Sequence, residues 1–539
     1  MSPTHLSIKE DAHLRNPGAP AFWTPKKDAD IGEVKDWNLV SYKQLCQDVL
    51  AQASYWKSLL RERGIYPGEV VTMWIPGMAY EEVALIYGIS RAGYTVELIS
   101  FNITTEEALF CLASLANAKL LIVHISQESK VTNSPIPVHI YSPPAHTAAL
   151  FKIEIDDGLP SLLEIGKVSN GIAFFLHTSG STSGRSKLVP WRWDWIAATI
   201  ERMEMFLPTK PGEPRDVYTW LGTVCHSGQM PYVCLLSLFK GGNSMIQPSS
   251  LVFPSSEIDH MTRCCKLTTI AQFPPLFSIH LKRARQDPAL LAMLQSLSKV
   301  ILVGMPLSED DAKYCHEQGI TLLFGFASTE CGLLLYSDPH KPGALYRPLD
   351  PGIIRFVPAS EDSDPPQTLE STMEPKTSVK LLELVDGHFH TGETFEEVEP
   401  GYYASRGMTD DWIKLLNGGQ CDTRAIESTA MQTCSDLISN CVAVGFHRPL
   451  LVLFVEVDAY TEAETDIKQQ VLQRLALVQS TMWHHQRILL EKQIRVVEAG
   501  SLPRTGSKGN IRRKAVEEMF EEELDRLFAT DAVRDAGGR

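Results

Sequence analysis

Apolar positions recur at helical spacing over residues 42–63, where Leu45, Val49, Leu50, Ala53, Trp56 and Leu60 fall on one stripe. A short, mostly apolar run over residues 69–75 then predicts a strand. Residues 82–92 return to helical spacing and stop at Gly93, and residues 119–123 and 171–176 are further apolar runs of strand length. Helices alternating with apolar strands predict parallel sheets in α/β layers. Over residues 332–400 the strands shorten and prolines multiply, which predicts a β-subdomain, with the acidic stretch 361–366 as an exposed loop. Residues 450–455 predict one more buried strand. A final helix has Val516, Met519, Phe520, Leu524, Leu527 and Phe528 on its inner face, and Glu517, Glu518, Glu521, Glu522 and Glu523 facing solvent. The expected fold is a large N-terminal domain over 1–409 of layered α/β sheets plus the β-subdomain. A small mobile α+β domain over 410–528 and a frayed polar tail over 529–539 follow.

Composition adds limits. With 539 residues and 44% hydrophobic content the chain buries a large core and divides into at least two domains. A net charge of 50 − 65 = −15 argues against nucleic acid and anionic membranes as partners. No run approaches eighteen apolar residues, and no signal peptide is visible. The eleven cysteines form no C-x-x-C pair, which points to a reducing, cytoplasmic setting and away from a zinc site. The histidines are dispersed, and the adjacent His484 and His485 are expected on a solvated helix face.

The strand at 171–176 opens into His177-Thr178-Ser179-Gly180-Ser181-Thr182-Ser183-Gly184-Arg185-Ser186-Lys187. Such a run suits a polyphosphate. Glycines admit close approach of backbone N–H groups, hydroxyls donate further hydrogen bonds, and Lys187 supplies a mobile positive charge. It is not a Walker A loop: only three residues lie between Gly180 and Gly184, and Arg185-Ser186 precede the lysine.

The run resembles the T-S-G-S-T-G-x-P-K-G signature of adenylate-forming enzymes, with one extra residue, Ser186 for proline and Leu188 for the last glycine. Four further stretches keep that resemblance in order. Phe326-Ala327-Ser328-Thr329-Glu330 resembles Y-G-x-T-E, and Phe389-His390-Thr391-Gly392-Glu393 resembles Y-x-T-G-D. Gly407-Met408-Thr409-Asp410-Asp411-Trp412-Ile413-Lys414 resembles the hinge motif G-R-x-D-D-x-I-K, with Arg406 close enough to stand in for the arginine that Met408 replaces. Leu502-Pro503-Arg504-Thr505-Gly506-Ser507-Lys508-Gly509 resembles the terminal lysine loop. The stretches 93–100, 410–418 and 421–427 are similar to adenylation domains of fungal proteins that resemble nonribosomal peptide synthetases, among them carboxylic acid reductases.

That resemblance implies ATP-dependent activation of a carboxylic acid to an acyl-adenylate with release of pyrophosphate. By it, Thr178, Ser179, Gly180, Ser181, Thr182 and Gly184 bind the phosphates together with Lys187. Phe326, Ala327 and Ser328 meet the adenine, and Thr329 and Glu330 serve phosphate and Mg²⁺. Glu393 and Arg406 reach the nucleotide, Asp410 is the hinge, and Lys508 drives adenylation, with Lys514 the weaker candidate. The acid pocket falls to His226, Gly228, Phe273, Val303, Gly304 and Met305. No carboxylate lies in Trp220-Leu221-Gly222-Thr223-Val224-Cys225-His226-Ser227-Gly228 to pair an α-ammonium, so an aryl or short alkyl acid is expected in place of an α-amino acid. The acceptor implied is the phosphopantetheine of a carrier domain, in trans or in a parent protein, since no carrier serine follows residue 528. Three alternatives stay open: a stand-alone acyl-CoA or aryl-CoA ligase using CoA, an inactive adenylate-forming fold that serves as a binding protein, and a phosphotransferase releasing ADP.

Overall fold

A computed structural model describes residues 4–27, 34–101, 103, 106–143, 146, 150, 153–156, 158–168, 171–177, 187–208, 215–229, 242–304, 307–339, 341, 344–358, 369–373, 389–408, 412–415, 420–446, 448–457, 464–479, 486–504 and 511–536. Two large sheets carry the N-terminal part. The first runs in the order Val138–Tyr141, Ala118–His124, Val70–Trp74, Thr95–Ile99, Ile172–His177 and Leu188–Arg192. Its strands are parallel except the last, which turns back antiparallel on Ile172–His177.

The second sheet has a parallel centre of Pro20–Lys27, Ser244–Ile246, Val217–Thr219, Thr269–Gln272, Lys299–Val303 and Leu322–Ser328. Beyond Leu322–Ser328 the direction changes. Gly332–Ser337, Leu345–Pro348, Tyr402–Met408, Phe389–Glu399, Leu369–Met373 and Ile354–Pro358 follow as antiparallel neighbours, the short-stranded region expected over 332–400.

One core joins the two sheets. Helix Tyr42–Glu62, started by the Ser41 hydroxyl accepting the Gln44 N–H at 3.1 Å, turns Leu45, Val49, Ala53, Trp56 and Leu60 inward, all fully buried. Leu50 lies at the margin of that stripe and stays half-buried. Helices Tyr80–Arg91 and Trp193–Phe206 share the core with Val71, Met73 and Leu98 of one sheet and Tyr218, Ala271 and Ile301 of the other. Helix Tyr80–Arg91 starts earlier than its apolar spacing, because the Glu82 carboxylate folds back to accept the N–H groups of Met78 and Ala79.

The C-terminal part is a separate α+β unit. Its sheet, Asn440–Val444, Val452–Val457 and Ile494–Glu498, is apolar on both faces. Helices Thr423–Cys434 and Glu464–Val478 cover one face through Ile426, Ala430, Val471 and Leu475. Helices Arg513–Met519 and Glu521–Ala536 cover the other through Val516, Leu524 and Phe528. Alternation along Val452–Val457 sends Leu453 and Val455 one way and Val452 and Phe454 the other.

The final helix departs from its sequence pattern in three ways. It is two helices that break at Phe520, so Met519 rotates out and is 61% exposed. Glu517, expected in solvent, accepts the N–H groups of Gly445 and Phe446 at 2.6 and 2.8 Å. Helix Glu521–Ala536 also runs through most of the segment expected to fray, since its Leu524 and Phe528 anchor it on the sheet. The ten described cysteines are free thiols. His484, His485 and the acidic loop 361–366 lie outside the described residues.

Candidate active site

The strand pair Ile172–His177 and Leu188–Arg192, in register at His177 opposite Leu188, supports the Ser/Thr/Gly run from both ends. Thr178, Ser179, Gly180, Ser181, Thr182 and Gly184 lie outside the described residues, and Lys187 is exposed where the chain returns to the sheet. His177 is buried, and its Nε2 accepts the Ser100 N–H at 2.8 Å, which fixes the end of the neighbouring strand to the mouth of the run.

Phe326, Ala327 and Ser328 end the last parallel strand of the larger sheet, and Thr329 and Glu330 form the turn that follows. The C-terminal edge of a parallel sheet, where strand direction changes, is where α/β folds place ligands. Three contacts set this turn. The Trp191 Nε1–H donates to the Thr329 carbonyl at 3.1 Å, the hydroxyls of Ser227 and Thr329 meet at 2.8 Å, and Ser328 Oγ accepts the Cys331 N–H at 3.0 Å. Arg202 donates to the Cys331 carbonyl at 2.9 Å, and burial pushes the Cys331 thiol up to about 12. Trp191 itself is stacked on Trp195, with ring centroids 4.2 Å apart.

Ala327 stands at a register shift where the resembled motif has glycine. Asn117 and Lys266 are the non-glycine residues with positive φ among those described, so Ala327 carries no left-handed strain. The Phe326 ring is buried edge-on against Phe395 and Tyr346, at 5.3 and 6.5 Å between centroids. Glu393 lies opposite Met408, its N–H held by Thr391 Oγ1 at 3.2 Å. Burial raises the Tyr346 phenol, and the negative charge of Glu393 raises it further. Arg406 occupies a second register shift, between the Gly407–Thr394 and Ser405–Phe395 pairs. Its side chain, like all of Asp410 and Met305, lies outside the described residues.

Of the residues expected to line the acid pocket, His226 and Gly304 lie against Phe273. The His226 ring meets it edge-on at 6.4 Å. A Cβ on Gly222 would come within 3.2 Å of the same ring, and one on Gly304 within 3.7 Å, with the Gly304 backbone at φ +105°. Gly228 donates its N–H to His226 Nδ1 at 3.1 Å, so the His226 ring is fixed. Val303 turns toward Gly325, where a Cβ would lie 3.6 Å from it. Sequence reasoning passed over three residues that build this wall. Gln229, fully buried, accepts the N–H groups of Leu221 and Gly222 at 3.0 and 3.1 Å. Thr223 donates to the Pro76 carbonyl at 2.6 Å, over a Gly77 with no room for a Cβ. Only the glycine at position 77 hinted at so close an approach.

In the small domain, Lys508 lies in segment 505–510, outside the described residues. The ends of that segment are paired: Arg504 bridges to Ile511, and Arg512 N–H donates to the Pro503 carbonyl at 2.8 Å. Lys514 is exposed within helix Arg513–Met519.

Among the described residues no three His, Cys, Asp or Glu side chains gather as a metal site. Thr329 and Glu330 are half-exposed oxygen donors. So sparse a hard-donor set fits Mg²⁺, which draws most of its ligands from water and substrate phosphates. No helix among the described residues is long and apolar enough to cross a membrane.

Comparisons with known proteins bear on the family and the fold. The family described as AMP-binding enzyme matches residues 10–354, and that described as AMP-binding enzyme C-terminal domain matches residues 410–532. The AMP-binding domain-containing enzyme iboA of Amanita muscaria is 30% identical over 487 residues, 87% of this chain and 93% of that protein. Adenylate-forming reductase Nps11 of Serpula lacrymans is 25% identical over 397 residues, which cover 67% of this chain and 34% of the reductase. The fold matches o-succinylbenzoate CoA synthetase of Bacillus subtilis, solved with an acyl-adenylate, at TM-score 0.72 and 13% identity, covering 94% of this chain and 97% of the synthetase.

Proposed function

The chain belongs to the AMP-binding enzyme family and activates a carboxylic acid by adenylation, and from that premise we propose its substrate, its acceptor and the residues that act. The acid is an aryl or short alkyl acid without an α-ammonium. It attacks the α-phosphorus of ATP, pyrophosphate leaves, and the acyl group then passes to the phosphopantetheine thiol of a carrier domain.

The observation that carries this reading is the grip on Thr329, held by Trp191 from the hairpin around the Ser/Thr/Gly run and by Ser227 from the acid-pocket segment. One residue thus ties together the strand that follows the Ser/Thr/Gly run, the 326–330 motif and segment 220–229. Two anions must meet while charge builds on phosphoryl oxygens, so fixed positions and nearby positive charge supply most of the acceleration. Lys187 and the hydroxyls of Thr178, Ser179, Ser181 and Thr182 would hold the departing pyrophosphate. Glu330 would hold a Mg²⁺ ion, which when bound supplies charge neutralisation at the phosphates. Phe326 would bound the adenine site, Glu393 and Arg406 the ribose side, and Lys508 would bridge the incoming carboxylate and the phosphate. The domain boundary is placed at Asp410, the hinge about which the small domain turns between half-reactions.

The acid preference rests on Phe273 with His226, Gly222 and Gly304 packed about its ring, and on segment 220–229, which has no Asp or Glu. An ammonium buried there without a partner carries a large desolvation cost. Likeness to the reductase supports the carrier as acceptor. The test is to incubate protein, acid and ATP with CoA or with a phosphopantetheinylated carrier and weigh the thioester. Acyl-carrier forms under this reading. Rapid acyl-CoA formation, saturable at micromolar CoA, would replace it with a stand-alone CoA ligase.

A further inference from the structure

Segment 505–510, which carries Lys508, is flanked in sequence by two carboxylate–arginine pairs of the small domain. On the entering side is Glu456, in the central strand Val452–Val457 and 1% exposed. Its Oε1 accepts the N–H groups of Gly500 and Leu502 at 3.1 and 3.2 Å, and its Oε2 pairs with the guanidinium of Arg504. On the returning side is Glu427, on helix Thr423–Cys434. Its carboxylate pairs with Arg513, which also donates to the Ala443 carbonyl, and accepts the Ala443 N–H at 2.7 Å.

A carboxylate this deeply buried is costly to desolvate, and replacing such a pair by apolar residues is often neutral for stability. Stability alone therefore does not explain a charge at position 456. Its bonds go to residues 500, 502 and 504, the stretch immediately before the lysine segment. Oε1 sets the turn at 500–502, and Oε2 holds Arg504 where its backbone pairs with Ile511. The carboxylate thereby fixes both described ends of segment 505–510, because the Arg504–Ile511 bridge joins them.

We propose that Glu456, acting through Arg504, is a positioning residue for adenylation. It holds the stems of segment 505–510 so that Lys508 is presented to the acyl-adenylate transition state, and it has no part in thioester formation. The proposal rests on Lys508 acting in the first half-reaction. A small displacement of a charge that acts only in a transition state lowers the rate of that step without weakening substrate binding.

The experiment compares Glu456→Gln with Lys508→Ala in the full chain. Glutamine keeps an oxygen for the Gly500 and Leu502 N–H groups and removes the charge that holds Arg504. Pyrophosphate exchange in Glu456→Gln is expected to fall about tenfold or more in kcat, with KM for ATP changed less than about twofold. Thioester formation from supplied acyl-adenylate should be unchanged. The double variant should fall no further than Lys508→Ala alone, because the two residues act as one unit. If Glu456→Gln does not fold, Arg504→Lys keeps the charge, loosens the fork, and should show the same split between half-reactions. Equal loss in both half-reactions, or additive losses in the double variant, overturns the proposal and makes Glu456 a stability residue. Full exchange activity in Lys508→Ala instead overturns the underlying assignment, whatever Glu456→Gln does.

Discussion

The indole N–H of Trp191 donates to the carbonyl of Thr329 at 3.1 Å, across 138 residues of sequence. This bond joins the edge strand of one sheet to the turn that ends the parallel strands of the other. It holds strand Leu188–Arg192 against the turn at Thr329 and Glu330.

Trp191→Phe is therefore expected to lower adenylation more than stability. Phenylalanine keeps the stack on Trp195 and removes the donor, leaving a carbonyl short of one partner at a cost of about 1–3 kcal/mol. The kcat for pyrophosphate exchange should fall about tenfold. An unchanged rate with a lowered Tm would assign the bond to folding alone.

The acid slot makes a second prediction. Gly222→Ala brings a Cβ to 3.2 Å from the Phe273 ring, so the ring that is proposed to bound the acid must shift. Exchange with aryl acids should lose about tenfold in kcat/KM, while a short alkyl acid loses little, since a methyl group in an apolar pocket discriminates by about 1–3 kcal/mol. Equal loss for both acids would place the slot elsewhere.

The contribution of Glu97 to stability should fall as pH rises through the acid-to-neutral range, against the buried His5, His146 and His280, whose lowered values act in the opposite direction. Glu97 lies in the middle of strand Thr95–Ile99, fully buried, with the Thr72 hydroxyl on one oxygen and no partner on the other. Burial pushes it up to about 7 from 4.5. A carboxyl whose folded value is raised holds its proton in the folded state after the unfolded chain has lost it, so the contribution of Glu97 declines between pH 4.5 and about 7 and then levels. Glu97→Gln should match the parent at pH 4 and exceed it by about 3 kcal/mol at pH 8, by chemical denaturation. A difference independent of pH would contradict this.

Much of the architecture was legible because the core is regular. The Leu45–Leu60 stripe is a fully buried helix face, and the apolar run ending at Leu176 is a buried strand with a neighbour on each side. The adenylate motifs were legible as strings of small and charged residues at fixed spacing. What sequence could not give is contact between distant segments. Nothing local marks Trp191, Ser227 or Gln229 as wall and clamp, since their partners are set by how the two sheets meet. Glu517 was misread for a related reason. Its helical position faces outward in isolation, but the turn at Gly445 and Phe446 comes within reach of it.

The most direct measurement is acid-dependent exchange of labelled pyrophosphate into ATP over a panel of benzoate-like, cinnamate-like, short branched and proteinogenic amino acids. Label should enter ATP with acids that lack an α-ammonium, with AMP as the nucleotide product when a thiol acceptor is added. Release of ADP, binding of ATP with no exchange for any acid, or a proteinogenic amino acid as the best substrate would contradict it.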